Sequence, residues 1–513
     1  MAQSQPSQIM DEGLNRSQVL QTASEMMDGI GGRLTGSPNM RRAEDWAIAK
    51  FQSYGLSNVR REPWEFGRGW EIISSSATMV SPRRVAMTAI PMAWSPPTDG
   101  AVTAPIIVAP MSKRENFAAW RGKLAGKIVL VTLPDTWSDE PKEAAFQRLD
   151  DGEIKGRDQF RMPNFDPDAA NRRRDRINFS KELDAFLKAE GAVAMIKKSY
   201  RDGKLVHGEG YNYAVGDTLS VPVFELAAED YRRLARLAKS GNAPQVELNS
   251  NVRFVDGDTR ANNIIADIPG SDPKAGYVMA GAHFDSWIAG DGAADNGAGS
   301  AVVIEAARII RSLGVRPKRT IRFALWEGEE QGLLGSRAYI EQHFVSRPVD
   351  PNAKGLDAYF AWGEAYPITP KPGYRDMKAY FNMDNGSGKF RGIHAEQNGA
   401  AVPILKEWMA PYGVLGATSV VIGKTGGTDH VYMQAVGLQG YQFIQDPLDY
   451  ESRVHHSNLD TFDHLRGDDL RQAATVMAGM LIAAANSDKE LPRMPIPTKP
   501  VDTDPFDYSD PNK

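Results

Sequence analysis

The sequence predicts an α/β protein in which a mostly parallel sheet is covered by helices on both faces and joined to a smaller β-rich unit. Three observations carry this. From Asn262 onward short apolar strands alternate with helices of ten or more residues, the pattern of a sheet buried on both faces. Between about 98 and 255, short apolar runs bounded by Gly, Pro and charged residues read as strands. A length of 513 residues also makes two or three domains the starting expectation.

Taken in order, residues 17–54 carry apolar positions at helical spacing around a Gly-Gly break, and Thr35-Gly36-Ser37-Pro38-Asn39 reads as the turn that starts a second helix. In the β-rich stretch, strands are expected at 104–107, 126–132, 192–196 and 221–225. The intervening segment 137–176 is charged, punctuated by Pro and Gly, and contains Arg172-Arg173-Arg174. It reads as a solvated insertion or lid rather than a specific anion site. Beyond Asn262, strands are expected at 277–280, 320–326 and 379–383, and helices at 301–313, 333–343, 403–412 and 469–486, the last capped by Asp468. The tail from Pro492 is rich in proline and without periodicity, which predicts a surface or disordered segment.

Apolar residues make up 42% and charged residues 24%, with 60 Lys+Arg against 65 Asp+Glu. That balance is ordinary for a soluble globular protein and shows no nucleic-acid footprint. The absence of cysteine excludes disulfide scaffolds, thiolate zinc sites, iron-sulfur ligation and cysteine nucleophiles. No stretch approaches the roughly 18 consecutive apolar residues of a membrane span, and the first residues lack the pattern of a signal peptide. A leader already removed and replaced by Met1 remains compatible with this.

Five motifs could carry chemistry. Gly281-Ala-His283-Phe-Asp285 ends a strand, and a period of two lets Asp285 accept a hydrogen bond from one ring nitrogen of His283 while the other binds a metal. Gly292-Ala-Ala-Asp295-Asn296-Gly297 precedes a helix, where a carboxylate could bridge two cations. Trp326-Glu327-Gly328-Glu329-Glu330 follows an apolar strand, so that adjacent carboxylates can divide the roles of base and ligand. Asn382-Met-Asp384 and His455-His456-Ser457-Asn-Leu-Asp460 complete the series. Singly, each has a structural reading: a hydrogen-bonded surface pair, an Asn-Gly turn, an acidic helix start. Together, His283, Asp295, Glu329-Glu330, Asp384 and His456 make a complete nitrogen and oxygen ligand set for two divalent cations. A dinucleotide loop is disfavoured because Gly290-x-Gly292 leads to Asp295 where glycine is needed, and a serine hydrolase because Gly386-Ser387-Gly388 lacks the nucleophile-elbow spacing.

In this order and context the motifs resemble the M28 family of co-catalytic zinc exopeptidases, in the plasma glutamate carboxypeptidase type with a protease-associated domain inserted in the catalytic domain. The likeness extends to Arg33-Leu-Thr-Gly-Ser37 and Arg316-Pro-Lys-Arg-Thr-Ile-Arg. It implies an α/β catalytic domain with a mixed central sheet covered by helices. Residues 14–97 and 256–490 would form that domain, 98–255 the protease-associated domain with its charged insertion at 137–176, and 491–513 a flexible tail. The resemblance further implies that Asp295 bridges two Zn2+, that His283 and Asp384 complete one site, and that Glu330 and His456 complete the other. Mn2+ or Co2+ would also suit such ligands. Glu329 would be the general base, with Asp285 as the second catalytic residue, and the peptide bond after Asp295 would be cis.

Asp429 and His430, in a Gly426-Gly427-Thr428 context resembling the family's specificity loop, could touch the substrate, while His455 would support His456. His207, His343, His394 and His464 read as structural. The implied activity is hydrolysis of terminal peptide bonds from peptides or dipeptides, foremost as an aminopeptidase, then as a dipeptidase or carboxypeptidase. A non-catalytic receptor or binding module on the same fold is the alternative of another class. By analogy the protein is expected to be periplasmic or secreted rather than cytoplasmic, and to form a homodimer.

Overall fold

The computed structural model describes residues 4–500, except 136–143, 162–165, 167, 211–217 and 242. Its main sheet has eight strands: β1 (Ser57–Glu65), β2 (Arg260–Ile268), β3 (Tyr277–His283), β4 (Thr320–Trp326), β5 (Met377–Asn382), β6 (Phe390–His394), β7 (Ser419–Val421) and β8 (Gly440–Gln445). They lie in the order β1-β2-β4-β3-β5-β8-β6-β7. The centre, β4-β3-β5-β8, is parallel, whereas β1-β2, β2-β4 and β6-β8 pair antiparallel. The sheet is therefore mixed, with its parallel part where the strand and helix alternation predicted it.

Alternation along the strands builds the two faces. Ile264, Val278, Ala280, Ile321 and Phe323 join a core beneath the helices Pro38–Ser53, Ala298–Ser312 and Gly467–Asn486. Ile265, Met279, Ala324, Trp326 and Tyr380 face a second core with the helix Leu334–His343. Both faces are buried, so these strands read as continuous apolar runs.

The observed elements depart from the sequence expectations at several places. The C-terminal helix begins at Gly467, so Asp468 lies in its first turn and Arg466 is the cap residue. A first helix, Gln5–Asn15, packs Ile9 into the main core. The long strands Ser57–Glu65, Gly69–Ser81 and Gln245–Val255 went unread because polar residues alternate along them without a continuous apolar run. The helix Ala169–Ala189 starts inside the segment expected to be a solvated insertion. Residues 137–143, 162–165, 167 and 501–513 lie outside the described residues. The described part of the tail is held down: Arg493 donates to the carbonyls of Tyr374 and Met377, and Ile496 packs on the second core.

A second eight-stranded sheet draws its strands from Gly69–Ser81 through Gln245–Val255. Trp64, Phe66, Trp70, Trp94, Val252 and Trp287 form one apolar cluster between the two sheets. Aromatic side chains bury the most area per residue, so this joint locks the units together. Among the described residues no helix is long and apolar enough to cross a membrane.

Close approach of the central strands depends on Gly281. A Cβ there would stand 2.8 Å from both Trp326 Nε1 and the Tyr380 hydroxyl oxygen, which are themselves hydrogen-bonded at 2.7 Å. Gly281→Ala should destabilise the fold by roughly 1–3 kcal/mol, read as a lower urea midpoint. An unchanged midpoint would show that the strands separate there without cost.

Candidate active site

The parallel strands end together, and their carboxyl ends are where an open α/β sheet presents functional side chains. His283 is the last residue of β3, Glu329 and Glu330 follow β4, and Asp384 follows β5. After β4 the chain turns sharply at Gly328, whose φ of +84° favours glycine. Here a Cβ would approach Trp64 to 2.7 Å.

His283 Nε2 lies 3.2 Å from Asp295 Oδ1 and 3.5 Å from Asp384 Oδ1. His456 Nε2 lies 3.2 Å from Asp295 Oδ2 and 3.1 Å from Glu330 Oε2. One carboxylate, Asp295, thus stands between two imidazoles, each with a second carboxylate beside it. Glu329 groups with His283 and Asp384. The structure brings together all six residues of the predicted ligand and base set, and the Asp295–Asn296 peptide bond is cis.

The other ring nitrogens identify the donor sets. His456 Nδ1 is 2.8 Å from Glu209 Oε1, and His283 Nδ1 is 3.0 Å from the backbone carbonyl oxygen of Asp285. Nδ1 of a neutral ring then carries the proton in both cases, and Nε2 turns a lone pair toward carboxylate oxygens. Asp295 Oδ2 and Glu330 Oε1 are buried without a hydrogen-bond donor among the described residues. Lone pairs converging on one another in a buried place are the chemistry of a cation site, and an all-nitrogen and oxygen set suits zinc.

The titration behaviour follows from the same crowding. Burial, reinforced by neighbouring carboxylates, pushes Glu329 well above the ordinary carboxyl range, and burial lifts Glu330 to about 7. For His283, burial alone would lower the pKa, but the charges of Asp384 and Glu329 outweigh it and hold the ring well above its usual value, so a cation held at Nε2 would take the place of a proton there. Burial drops His455 to about 3, helped by the charge of His456.

Supporting contacts come from distant parts of the chain. The fully buried Arg33 donates to the carbonyls of Phe284, Asp291 and Gly292 at 2.8, 2.7 and 2.8 Å, pinning the loop between His283 and Asp295. Asp460 accepts from the amides of Ala294 and Asp295 at 2.6 and 3.1 Å. The expected role of Asp285 needs correction: its carboxylate Oδ1 is 3.7 Å from His283 Nδ1. It accepts instead from the amides of Glu329 and Glu330 at 3.2 and 3.3 Å and from the Thr35 hydroxyl at 3.1 Å. The strand ends at His283, so the period of two that would align the side chains no longer applies.

Other expected positions differ too. Asp429 and His430 are fully buried rather than open to the cleft, and His430 Nε2 is 2.9 Å from the Thr425 hydroxyl and 3.2 Å from Glu396. His455 Nε2 lies 3.6 Å from Asp295 Oδ2, within reach of the same cation position as His456. Glu209 went unread: 247 residues separate it from His456, and its surroundings in sequence carry no motif. Asp460 and Arg33 stood inside quoted motifs, without a role that spacing could assign.

A cleft of about 710 Å3 opens on this cluster, reaching Glu330, His456, Gln331 and Trp287.

Residues 263–481 match the family described as Peptidase family M28. These residues are a peptidase family M28 domain. Over 471 residues, 91% of this chain and 85% of the relative, the chain is 26% identical to Carboxypeptidase Q of Rattus norvegicus. The crystal structure of a peptidase M28 precursor from Shewanella amazonensis superposes with a TM-score of 0.66 at 24% identity, covering 96% of this chain and 98% of that one. BSAP, a zinc aminopeptidase from Bacillus subtilis, superposes with a TM-score of 0.59 at 18% identity, covering 95% and 98%. Both likenesses span the second sheet as well as the M28 domain.

Two substitutions separate ligation from scaffolding. Glu209→Ala should weaken zinc retention about 10- to 100-fold, measured by competition with a chromogenic chelator, while the unfolding midpoint stays close to that of the unaltered protein. Arg33→Ala strips donors from buried carbonyls and should lower folding stability by about 3 kcal/mol, read from denaturant unfolding.

Proposed function

We propose that this chain is a zinc-dependent exopeptidase that hydrolyses terminal peptide bonds of peptides or dipeptides with a water nucleophile, foremost as an aminopeptidase. The observation that carries the reading is the placement of Asp295 between His283 and His456, with Glu329 beside them. In this reading His283 and Asp384 would hold one zinc ion, Glu330 and His456 a second, and Asp295 would contribute to both positions. Zinc bound there supplies Lewis-acid polarisation of the scissile carbonyl and lowers the pKa of water.

The remaining chemistry belongs to the chain. Glu329 removes the proton from the attacking water and returns it to the leaving nitrogen, which needs a carboxyl whose pKa is raised toward neutrality. Burial, with the nearby Asp384 and Glu330 carboxylates, raises that carboxyl well above its ordinary range. Asp285 holds the Glu329 and Glu330 backbone in place through two amides and acts as a positioning residue. Glu209 fixes the tautomer of His456, so that Nε2 faces the cluster. The second sheet is read as the inserted protease-associated domain, here taking in strands from Gly69 onward.

A carboxypeptidase or dipeptidase is the second reading. It is favoured by the likeness to a protein named Carboxypeptidase Q over 91% of the chain.

The deciding experiment is zinc content of the purified protein together with chelator-sensitive release of amino acids from free and N-blocked dipeptides. Cleavage of unblocked peptides alone supports the aminopeptidase or dipeptidase reading, and cleavage of blocked ones the carboxypeptidase reading. A protein that neither retains zinc nor cleaves any peptide overturns both in favour of a binding module. Within the enzyme, Glu329→Gln should retain zinc and lose turnover about 100- to 10,000-fold, whereas Asp295→Ala should lose both. Equal zinc loss in the two variants would remove the distinction between base and ligand.

A further inference from the structure

The loop that delivers His456 follows β8 and is gripped by both units. The main unit holds its ends: Val454 is buried with Ala294, and the Asp291 amide donates to the Asp460 carbonyl at 2.8 Å. Between those ends the second unit reaches in. Arg201 donates to the carbonyl of His455 at 3.4 Å. Val206 and Asn458 exchange two hydrogen bonds, the Val206 amide donating to Asn458 Oδ1 at 2.9 Å and the Asn458 amide to the Val206 carbonyl at 3.0 Å. Glu209 then meets His456 Nδ1 at 2.8 Å. Beside this joint Val206 is buried with Ile90 and Ala227 against Ile288 and Ala289 of the main unit.

His456 depends on that grip. Its φ of +60° lies in the left-handed region, which is unfavourable for a residue with a Cβ and persists where neighbouring contacts hold it. The second unit is firm on its own side. Glu225, in the strand Val223–Leu226, accepts from the amides of His207 and Gly208 at 2.9 and 2.8 Å, and the Gly208 carbonyl accepts from the Ala93 amide at 2.9 Å.

The other candidate zinc position is built differently. The His283 carbonyl accepts from Ser300 Oγ at 2.8 Å, and His283 Nδ1 faces the Asp285 carbonyl. Asp384 Oδ1 accepts from the Asn385 amide at 2.7 Å, and Gln442 donates to the Asp384 carbonyl at 2.9 Å. All of these partners belong to the main unit.

We infer that Arg201 and Asn458 are positioning residues for the His456 position, and that zinc retention there is linked to docking of the second unit. The inference rests on the zinc exopeptidase reading and adds a form of regulation to it. Linkage acts in both directions: contacts that place His456 raise its affinity for the cation, and a cation that fixes His456 tightens the joint. The His283 position, supported from within the main unit, keeps its affinity whether or not the joint is closed.

Stepwise zinc titration of the metal-depleted full chain against a chromogenic chelator tests this without any peptide. The unaltered protein should take up two zinc ions. In the double variant Arg201→Ala, Asn458→Ala one ion should bind about tenfold more weakly and the other as before, with the urea midpoint of the zinc-free protein as the check on folding. Asn458→Asp keeps an oxygen acceptor for the Val206 amide and should behave as the unaltered protein does. In an Asp384→Ala background, where the His456 position is the one left intact, the double substitution should weaken the remaining ion as well. Hydrogen exchange on the unaltered chain reads the reverse direction: added zinc should slow exchange of the amides in 201–209 about tenfold. Equal weakening of both ions, weakening of neither, or exchange in 201–209 that ignores zinc would overturn the linkage and leave the exopeptidase reading standing. A protein that takes up no zinc would overturn both.

Discussion

Carboxylates and imidazole lone pairs are gathered at the buried ends of β3, β4 and β5 with too few protons to satisfy them, and much of the surrounding structure exists to hold that arrangement. Asp295 cannot sit between His283 and His456 unless the loop before it is fixed. Arg33 fixes it by donating to the carbonyls of Phe284, Asp291 and Gly292, and Asp460 by accepting from the amides of Ala294 and Asp295. Asp285 does the same for the turn after β4. Each support is itself an ionisable group kept in the interior, where burial holds even Arg33 down to about 10 and pushes the Asp460 carboxyl well above its usual range. Such groups are tolerated because every one has partners, and removing one partner leaves a charge exposed to a low-dielectric surround.

The second unit takes part in the site and does more than decorate the first. It sends Glu209 to the far nitrogen of His456, and Tyr200 donates to that carboxylate at 3.0 Å. His207 stacks on Tyr200 at 3.9 Å between ring centres and pairs with Glu225 at 2.7 Å, so the polar chain runs back into the second sheet. A histidine read from sequence as merely structural therefore stands three contacts from a candidate zinc ligand. The aromatic cluster between the sheets gives this connection its rigidity, because a carboxylate positions an imidazole only if both are held to within a fraction of an ångström.

Much of the chemistry was legible in the sequence because it lies in local motifs at strand ends. His283, Asp295, Glu329-Glu330, Asp384 and His456 each stand next to glycines or turns that mark where a strand stops, and their order along the chain carried the family resemblance. The alternation of apolar strands and helices after Asn262 likewise set the sheet type, since burial on both faces demands continuous apolar strands. The long polar strands escaped notice because solvent on one face leaves no apolar run to detect.

By itself the sequence determined the class of fold and the side-chain types and order of the residues that cluster at the strand ends, all of which follow from short-range pattern and side-chain chemistry. Only the tertiary structure decided which atoms face one another. It turned Asp285 from the His283 ring toward the Glu329 and Glu330 amides, buried Asp429 and His430, and brought Glu209 across to the cluster. The physical reason is separation along the chain: a contact spanning 247 residues leaves no periodicity to read, and its partners are chosen by how two packed sheets dock.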